Sequence, residues 1–510
     1  MRDFFIIHYS YDSVFFTNFA YHYFHIIIYK RLASMATKQH QRLIDRIKTG
    51  EHMTLKQQLS LTVALSTPAI LAQLSSIIMQ YIDASMVGSL GAHDSAAIGL
   101  VSSSAWLFGG LLSAAAMGFT VQVAHHIGAN GASNARSVLR QSLVTCLLFS
   151  ITLAAIGAAI STPLPHWLGG SQEISGKAST YFFILSIFLP FLEIEFLAGG
   201  MLRSSGNMKV PGMLNILMCV LDVVFNFFLI FPTRDIVIAG HAIHMPGLGL
   251  GVTGAALGTV MAEVITGLLM LYFLFARSRD LHLFGTKGSF KPTTSCLRRA
   301  YRISLPIALQ HIMMCGAYIA TTAIVAPLGS VALAANIFAI TAESLCYMPG
   351  HGIGEAATTL VGQSAGAERK DLMKRFATIT VLMGVAMMTI FGILMYACAP
   401  LMMGFMSPVQ EIVDLGTKCL RIEAWAEPLY ATAIVSYGVM VGAGDTVMPC
   451  IINLGSMWIV RITLAIILAA SMGLIGVWIA MCIELCVRGT LFLIRLASGK
   501  WIKKTSIINT

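Results

Sequence analysis

Twelve mostly apolar runs, each longer than twenty residues, follow one another along this 510-residue chain, separated by polar residues, glycine or proline. They fall near 60–83, 95–124, 138–160, 179–201, 211–231, 250–275, 303–326, 331–361, 377–400, 416–440, 449–470 and 473–495. A helix rises about 1.5 Å per residue and the hydrocarbon core of a bilayer is about 30 Å thick, so about 20 such residues cross it. No soluble core could hide that much apolar surface: 56% of the residues are hydrophobic and 11% charged, where soluble domains run at about a quarter charged. The chain is therefore expected to be an all-α polytopic membrane protein with twelve transmembrane helices. Soluble enzymes, nucleic-acid binders and disordered scaffolds are excluded.

The net charge of +10, from 33 Lys and Arg against 23 Asp and Glu, reports orientation. With the N-terminus inside, 27 of the 33 basic residues lie in cytoplasmic segments, as basic residues do in membrane proteins. Lys177, Arg234, Lys418 and Arg421 fall outside, and Arg461 and Arg488 lie within spans. Both termini are expected in the cytoplasm, with membrane lipids as neighbours of the basic loops and no nucleic acid as partner. The ten cysteines form no framework, and disulfides are not expected. Residues 1–34 carry eleven aromatics and no signal-peptide pattern. Met35 opens a more ordinary leader, so 1–34 is expected to be an extension of the gene model, with a surface-lying aromatic helix as the alternative.

Sliding the second half back by 238 positions superposes Pro68 on Pro306, Leu90-Gly91 on Leu328-Gly329, Pro190 on Pro428, Gly206 on Gly444, Pro211 on Pro449 and Asn215 on Asn453. After a slip of four residues, Ile127-Gly128 falls on Val361-Gly362. Six spans per copy is an even number, so both copies enter the membrane from the same side and are related by an axis along its normal. The expected organisation is a cytoplasmic segment 1–59, a six-helix bundle 60–276, a basic linker 277–302, a second six-helix bundle 303–495 and a cytoplasmic tail 496–510. Two such pseudo-symmetric bundles suit alternating access to a site between them.

Ionisable side chains inside a span are costly and normally face the bundle interior. Gln73, Ser76, Gln80 and Asp83 share one face of the first span, downstream of Pro68, which should bend that helix. Asn215, Asp222 and Asn226 line one face of the fifth span, and Thr259 and Glu263 one face of the sixth. Carboxylates enclosed by apolar walls are suited to taking up and releasing a proton, and with amide and hydroxyl oxygens they could instead hold Na⁺. Hydrogen bonding between helices alone is the structural alternative. Glu193 and Glu195 point roughly 200° apart, so at least one is expected near an interface or beside a basic group. Glu343, Glu355 and Glu484 suit substrate-facing or structural roles equally, and His351 with Glu355 lacks a third metal ligand. Gly249-Leu-Gly251-Val-Thr-Gly254 matches a dinucleotide fingerprint only in letters, since no strand–helix context accompanies it. No P-loop, HExxH or GxSxG is present.

The segments YIDASMVGSLG, RSSGNMKVPGMLNILMCVLDVVFNFFLIF, GLGVTGAALGT, APLGSVALAANIFAITAESLCYMPGHGIGEAATTLVGQSAGA and GAGDTVMPCIIN together resemble the multidrug and toxic compound extrusion (MATE) transporters of bacterial type, from about 60 to 495. The resemblance implies a V-shaped pair of bundles in the inner (cytoplasmic) membrane. It implies efflux of small organic, often cationic, compounds driven by inward H⁺ or Na⁺, by a monomer with no cofactor beyond that ion. It places the ion site at Asp83, Asp222, Asn226 and Thr259; the residues themselves put the bend at Pro68 and candidate cavity or coupling roles at Gln80, Asn215, Glu263 and Glu343. Related members usually read Asn then Asp on the fifth span, whereas Asp222 precedes Asn226 here, which moves the charge by one turn, about 5.4 Å. Members with acids on the seventh and tenth spans align them with Met314 and Thr432, so coupling is expected through the first bundle. A lipid-linked precursor flippase with fourteen spans is the alternative reading, and a membrane-embedded enzyme or passive channel lacks supporting residues.

Overall fold

A computed structural model describes residues 38–238 and 241–502; the expectations for residues 1–34, for a start at Met35 and for the end of the tail lie outside the described residues. A short helix α1 (Lys38–Thr49) precedes the first six spans, α2 (Leu55–Gly88), α3 (Ala92–Gly128), α4 (Ala132–Ile160), α6 (Gln172–Ser204), α7 (Lys209–Ile230) and α8 (Val252–Tyr272). A single-turn helix α5 (Leu164–Trp167) lies between α4 and α6, and α8 ends in a π turn, Phe273–Arg277. The second half holds α9 (Thr294–Val325), α10 (Ser330–Gly366), α11 (Lys370–Met406), α12 (Gln410–Glu423) and α13 (Glu427–Gly442). It closes with α14 (Val447–Gly455), a π segment Ser456–Ile462, α15 (Thr463–Met472) and α16 (Leu474–Ala497).

Eleven of the expected spans are helices long and apolar enough to cross a membrane. The tenth differs: the run 416–440 is split into α12 and α13 by the turn Ala424–Ala426. Pro428 in the first turn of α13 has no N–H to give a preceding carbonyl. Proline is not the whole reason, because its repeat mate Pro190 sits inside the unbroken α6. The residues before Pro190 are apolar, whereas Lys418, Arg421, Glu423 and Glu427 crowd the approach to Pro428.

Backbone geometry makes the repeat explicit. The spans α2, α3, α4, α6 and α7 each begin within a residue of their mates at an offset of 238, and the glycine bends recur in pairs. Gly91 and Gly329 have φ 115° and 103°, Gly206 and Gly444 have 86° and 81°, and the non-glycine pair Asn130 and Glu368 both have 57°. The four-residue slip is corrected: α3 and α10 are each 37 residues long and end at Gly128 and Gly366, so Gly128 pairs with Gly366. Gly362 misled because it too lies in a close contact, 3.0 Å from Ala124 Cβ if it bore a β-carbon. The fold is also not purely helical. Pro232–Ile238 and His241–Leu248 form an antiparallel hairpin, β1 and β2, where only an outer loop was expected. Arg234 stacks on Phe231 at 3.8 Å and Phe227 at 5.0 Å from this hairpin. It has no counterpart in the second half, which is why α8 and α16, starting at Val252 and Leu474, stand closer in number than 238.

The two sets of six helices meet at the end that carries the loops 129–131, 205–208 and 443–446. There His125 Nε2 lies 2.8 Å from Gly442 O, Gln363 Nε2 donates to Ser204 O (2.8 Å), and Thr359 Oγ1 donates to Arg203 O (3.2 Å). A β-carbon on Gly128 would collide with the Gln363 carbonyl, and one on Gly366 with the His125 carbonyl. These contacts run back to about mid-helix, where Gly110 faces the His311 ring and Gln73 Nε2 donates to Glu355 Oε1 (3.4 Å). Helix α1 spans the closed end. Its Leu43, Ile44 and Ile47 join a core cluster with Leu360, Met373 and Phe376, Lys48 Nζ pairs with Asp280 Oδ2 at 2.8 Å, and Arg369 Nη1 donates to Glu51 O (2.7 Å). Since the glycine approach leaves no space, Gly366→Val should destabilise the protein by about 1–3 kcal/mol. Thermal unfolding in detergent checks this against Gly404→Ala, whose added β-carbon would meet open space and should leave the midpoint unchanged.

Candidate functional site

Three helices of the first half bring one polar cluster together. Helix α2 starts on a capping box, Thr54 with Gln57, and runs through Pro68 to present Asp83 about one and a half turns before its end at Gly88. Helix α7 supplies Asp222 and Asn226 on one face, and α8 lies against them because Gly258 has no side chain; a β-carbon there would strike Asn226 Oδ1. The Asn226 amide donates to Asp83 Oδ1 (2.9 Å) and to Asp222 Oδ2 (3.1 Å). Thr259 lies within hydrogen-bonding reach of Asp222, and the two carboxyls within reach of each other. Asp222 and Asn226 are each 1% exposed. Asp222 Oδ1 and Asn226 Oδ1 have no hydrogen-bond partner among the described residues. Two carboxyls, an amide oxygen and a hydroxyl thus converge with acceptor capacity to spare, which suits a proton or a hard cation. The reversed order on α7 does not remove the charge from the cluster, since Asn226 bridges both acids.

The other expected residues are dispersed. Of the stripe on α2, Gln80 is exposed, Ser76 Oγ returns to Ala72 O (3.1 Å), and Gln73 reaches across to Glu355. Asn215 stands two turns from Asp222, and Glu263 one turn from Thr259, both half-buried and outside the hydrogen-bonded cluster. Glu355 takes Arg203 at 3.8 Å as well as Gln73. His351 is exposed and lies against the Tyr347 ring. Glu193 and Glu195 are both buried, at 1% and 8% exposure; the Arg203 guanidinium acts on Glu195, and Glu193 stands against the Cys146 thiol of α4. Their helix packs against α3, α4 and α8, so pointing apart does not bring either acid to the surface. No group of three His, Cys, Asp or Glu among the described residues is placed to hold a metal ion.

The second half contains a charged constellation that the run-by-run reading missed. Glu484, fully buried, accepts from Arg461 Nε and Nη2 (3.0 and 2.8 Å) and from Arg488 Nε and Nη2 (both 2.7 Å). Glu343, Glu423 and Glu427 are buried close by, although Met314 and Thr432 carry no acid. The i, i+4 spacing of Glu484 and Arg488 was the available signal. Glu423 and Glu427 escaped notice because the run 416–440 was read as one unbroken helix.

Comparison with known proteins agrees with this architecture. The MatE family model matches residues 68–228 and 306–467, two copies whose starts are the repeat mates Pro68 and Pro306. A Thermotoga maritima protein named probable multidrug resistance protein NorM is 24% identical, over 87% of this chain and 93% of its own length. The Bacillus subtilis probable multidrug resistance protein YoeA is 23% identical over 71% and 76%. Among solved structures, a crystal structure of MATE in complex with MaL6 has a TM-score of 0.81 at 21% identity, covering 93% of this chain and 100% of that one. A MOP superfamily transporter from Pyrococcus furiosus gives 0.80 at 21%, covering 93% and 99%. Twelve spans in two repeated halves, with acids and amides enclosed between helices, define a polytopic membrane transporter. With the family model matching more than half of its length, the chain belongs to the MatE family, the multidrug and toxic compound extrusion transporters.

Removing one partner from a buried ion cluster leaves an uncompensated charge, a loss of about 3–5 kcal/mol. Arg461→Met should show that loss in detergent unfolding, whereas Arg421→Met, at an exposed position over Tyr396, should change stability by less than about 0.5 kcal/mol.

Proposed function

We propose that this protein is a secondary active exporter of small organic, often cationic, compounds, driven by inward H⁺ or Na⁺. The observation that carries the reading is the Asp83–Asn226–Asp222 cluster, which joins the first span to the fifth. With both carboxyls ionised, two like charges face each other in an apolar surround. A proton or Na⁺ bound between them removes the repulsion and lets α2 close on α7 and α8. Pro68, which leaves a carbonyl of α2 without its helical donor, is the point at which that helix bends. Thr259 completes the ligand set. Substrate occupies the space between the two halves, and ion binding in the first half expels it. Relatives named as multidrug resistance proteins support the substrate class.

The end sealed by Gly128, Gly366 and α1 bears the basic loops, and we read it as cytoplasmic, which makes this conformation open to the outside. The protein acts as a monomer in the inner membrane, with both termini in the cytoplasm, the two bundles at 60–276 and 303–495 and the linker at 277–302. The fourteen spans of the flippase reading are not reached among the described residues.

Reconstituted into proteoliposomes, the protein should drive efflux of a cationic dye under a pH gradient or a Na⁺ gradient imposed separately, and the gradient that works identifies the ion. Asp83→Asn should abolish that efflux while unfolding as the parent does; undiminished efflux would refute the role of Asp83. Orientation has its own check. A membrane-impermeant maleimide should label Glu173→Cys on intact cells, and Lys287→Cys only after permeabilisation.

A further inference from the structure

Glu423 ends α12 and Glu427 begins α13, one on each side of the turn that breaks the tenth span. Both are 0% exposed. None of their four carboxyl oxygens has an N–H or O–H partner among the described residues, and the Cys346 thiol stands within reach of Glu427. Gly392 of α11 covers the turn so closely that a β-carbon there would lie 3.1 Å from Glu427 Cβ and 3.3 Å from Ala424 O.

Nearby charges do not neutralise this pair. Arg461, from the π segment, and Arg488, from α16, are both committed to Glu484. Both guanidiniums also act on Glu343 of α10, 5% exposed, and Arg461 acts on Glu423. Two guanidiniums thus face four buried carboxyls, Glu343, Glu423, Glu427 and Glu484, and two negative charges are in excess. The remaining titratable groups facing them are uncharged or acidic: Cys419 from α12, Cys346 and Tyr347 from α10, Cys482 from α16. Tyr430 of α13 and Tyr318 of α9 lie against the Glu343 side of the group. Glu423 also meets the C-terminal end of α12, where the helix dipole opposes negative charge. Where buried carboxyls outnumber the cations beside them, those sealed from water give way to the neutral acid. No third ligand is placed to make a metal site, so the proton is the ligand.

Packing does not require acids here. The repeat mates of Glu423 and Glu427 are Leu185 and Leu189 of α6, which fill the same places in an unbroken helix. Two leucines exchanged for two buried acids, at the one span that breaks, mark a difference of chemistry between the halves.

We propose that Glu423 and Glu427 form a second proton-carrying site, in the second half of the transporter, loaded in this conformation and emptied when the turn between α12 and α13 opens to water. Each carboxyl binds one proton as an O–H and releases it to water, with no other bond changed. The proposal rests on the exporter reading for its role in transport. It is tested with E423Q, E427Q and the double variant, and with E423L/E427L, which copies the leucines of the first half and preserves packing should the glutamines disturb folding.

Two readouts decide. In infrared difference spectra of the reconstituted protein on an alkaline jump, the wild type should lose a protonated-carboxyl C=O band, each single variant should lack part of it, and the double variants should lack the pair's whole contribution. In proteoliposomes, the double variants should lose pH-gradient-driven accumulation of ethidium or carry fewer protons per dye, while gradient-free dye exchange persists. An infrared difference identical in wild type and double variants overturns the proposal, as does driven accumulation with an unchanged proton count. If the wild type itself shows no gradient-driven transport, the exporter reading fails, and the infrared band alone still decides whether these acids carry exchangeable protons.

Discussion

Keeping polar and charged groups partnered in a surround without water is the constraint on which this structure depends. Hydrophobic pressure does not distinguish one helix from another inside a bilayer, because lipid is as apolar as leucine. Specific meeting points are set instead by small residues that let backbones touch and by polar groups that must find one another. Gly258 admits Asn226, and Asn226 holds Asp83 and Asp222. In the second half Glu484 gathers Arg461 and Arg488.

The two halves use one backbone plan for different chemistry. Positive-φ residues recur in register, and the long helices α3 and α10 end at paired glycines that seal one end of the molecule. The departures carry the asymmetry: a hairpin only in the first half, a broken tenth span only in the second, and leucines in α6 where α12 and α13 place acids. The halves are thus alike in backbone and unlike in the chemistry they enclose.

Much of the fold was readable from one-dimensional pattern. Span positions, their even number per repeat, the 238-residue offset and the loop asymmetry of charge each follow from local composition and spacing. Two errors share a cause. The slip that paired Gly128 with Gly362 followed letter identity where helix length was decisive, and reading 416–440 as one helix weighed mean apolarity over the four charges ahead of Pro428. The hairpin was missed because seven-residue strands in an outer loop leave little trace beside spans three times as long.

The candidate site was readable in part. Asp83, Asp222, Asn226 and Thr259 were identified as polar groups on helix faces, and the structure brings them together. Gln80, Asn215 and Glu263 were identified by the same rule and lie outside the hydrogen-bonded cluster, because helical periodicity says which face a residue shares and nothing about what stands opposite. By itself the sequence determined that the chain spans a membrane twelve times in two like halves with acids inside. Only the tertiary structure decided which acids meet and which are matched by arginine, since separate helices must pack together for either: Asn226 reaches Asp83 across 143 positions, and Arg461 reaches Glu484 from another helix.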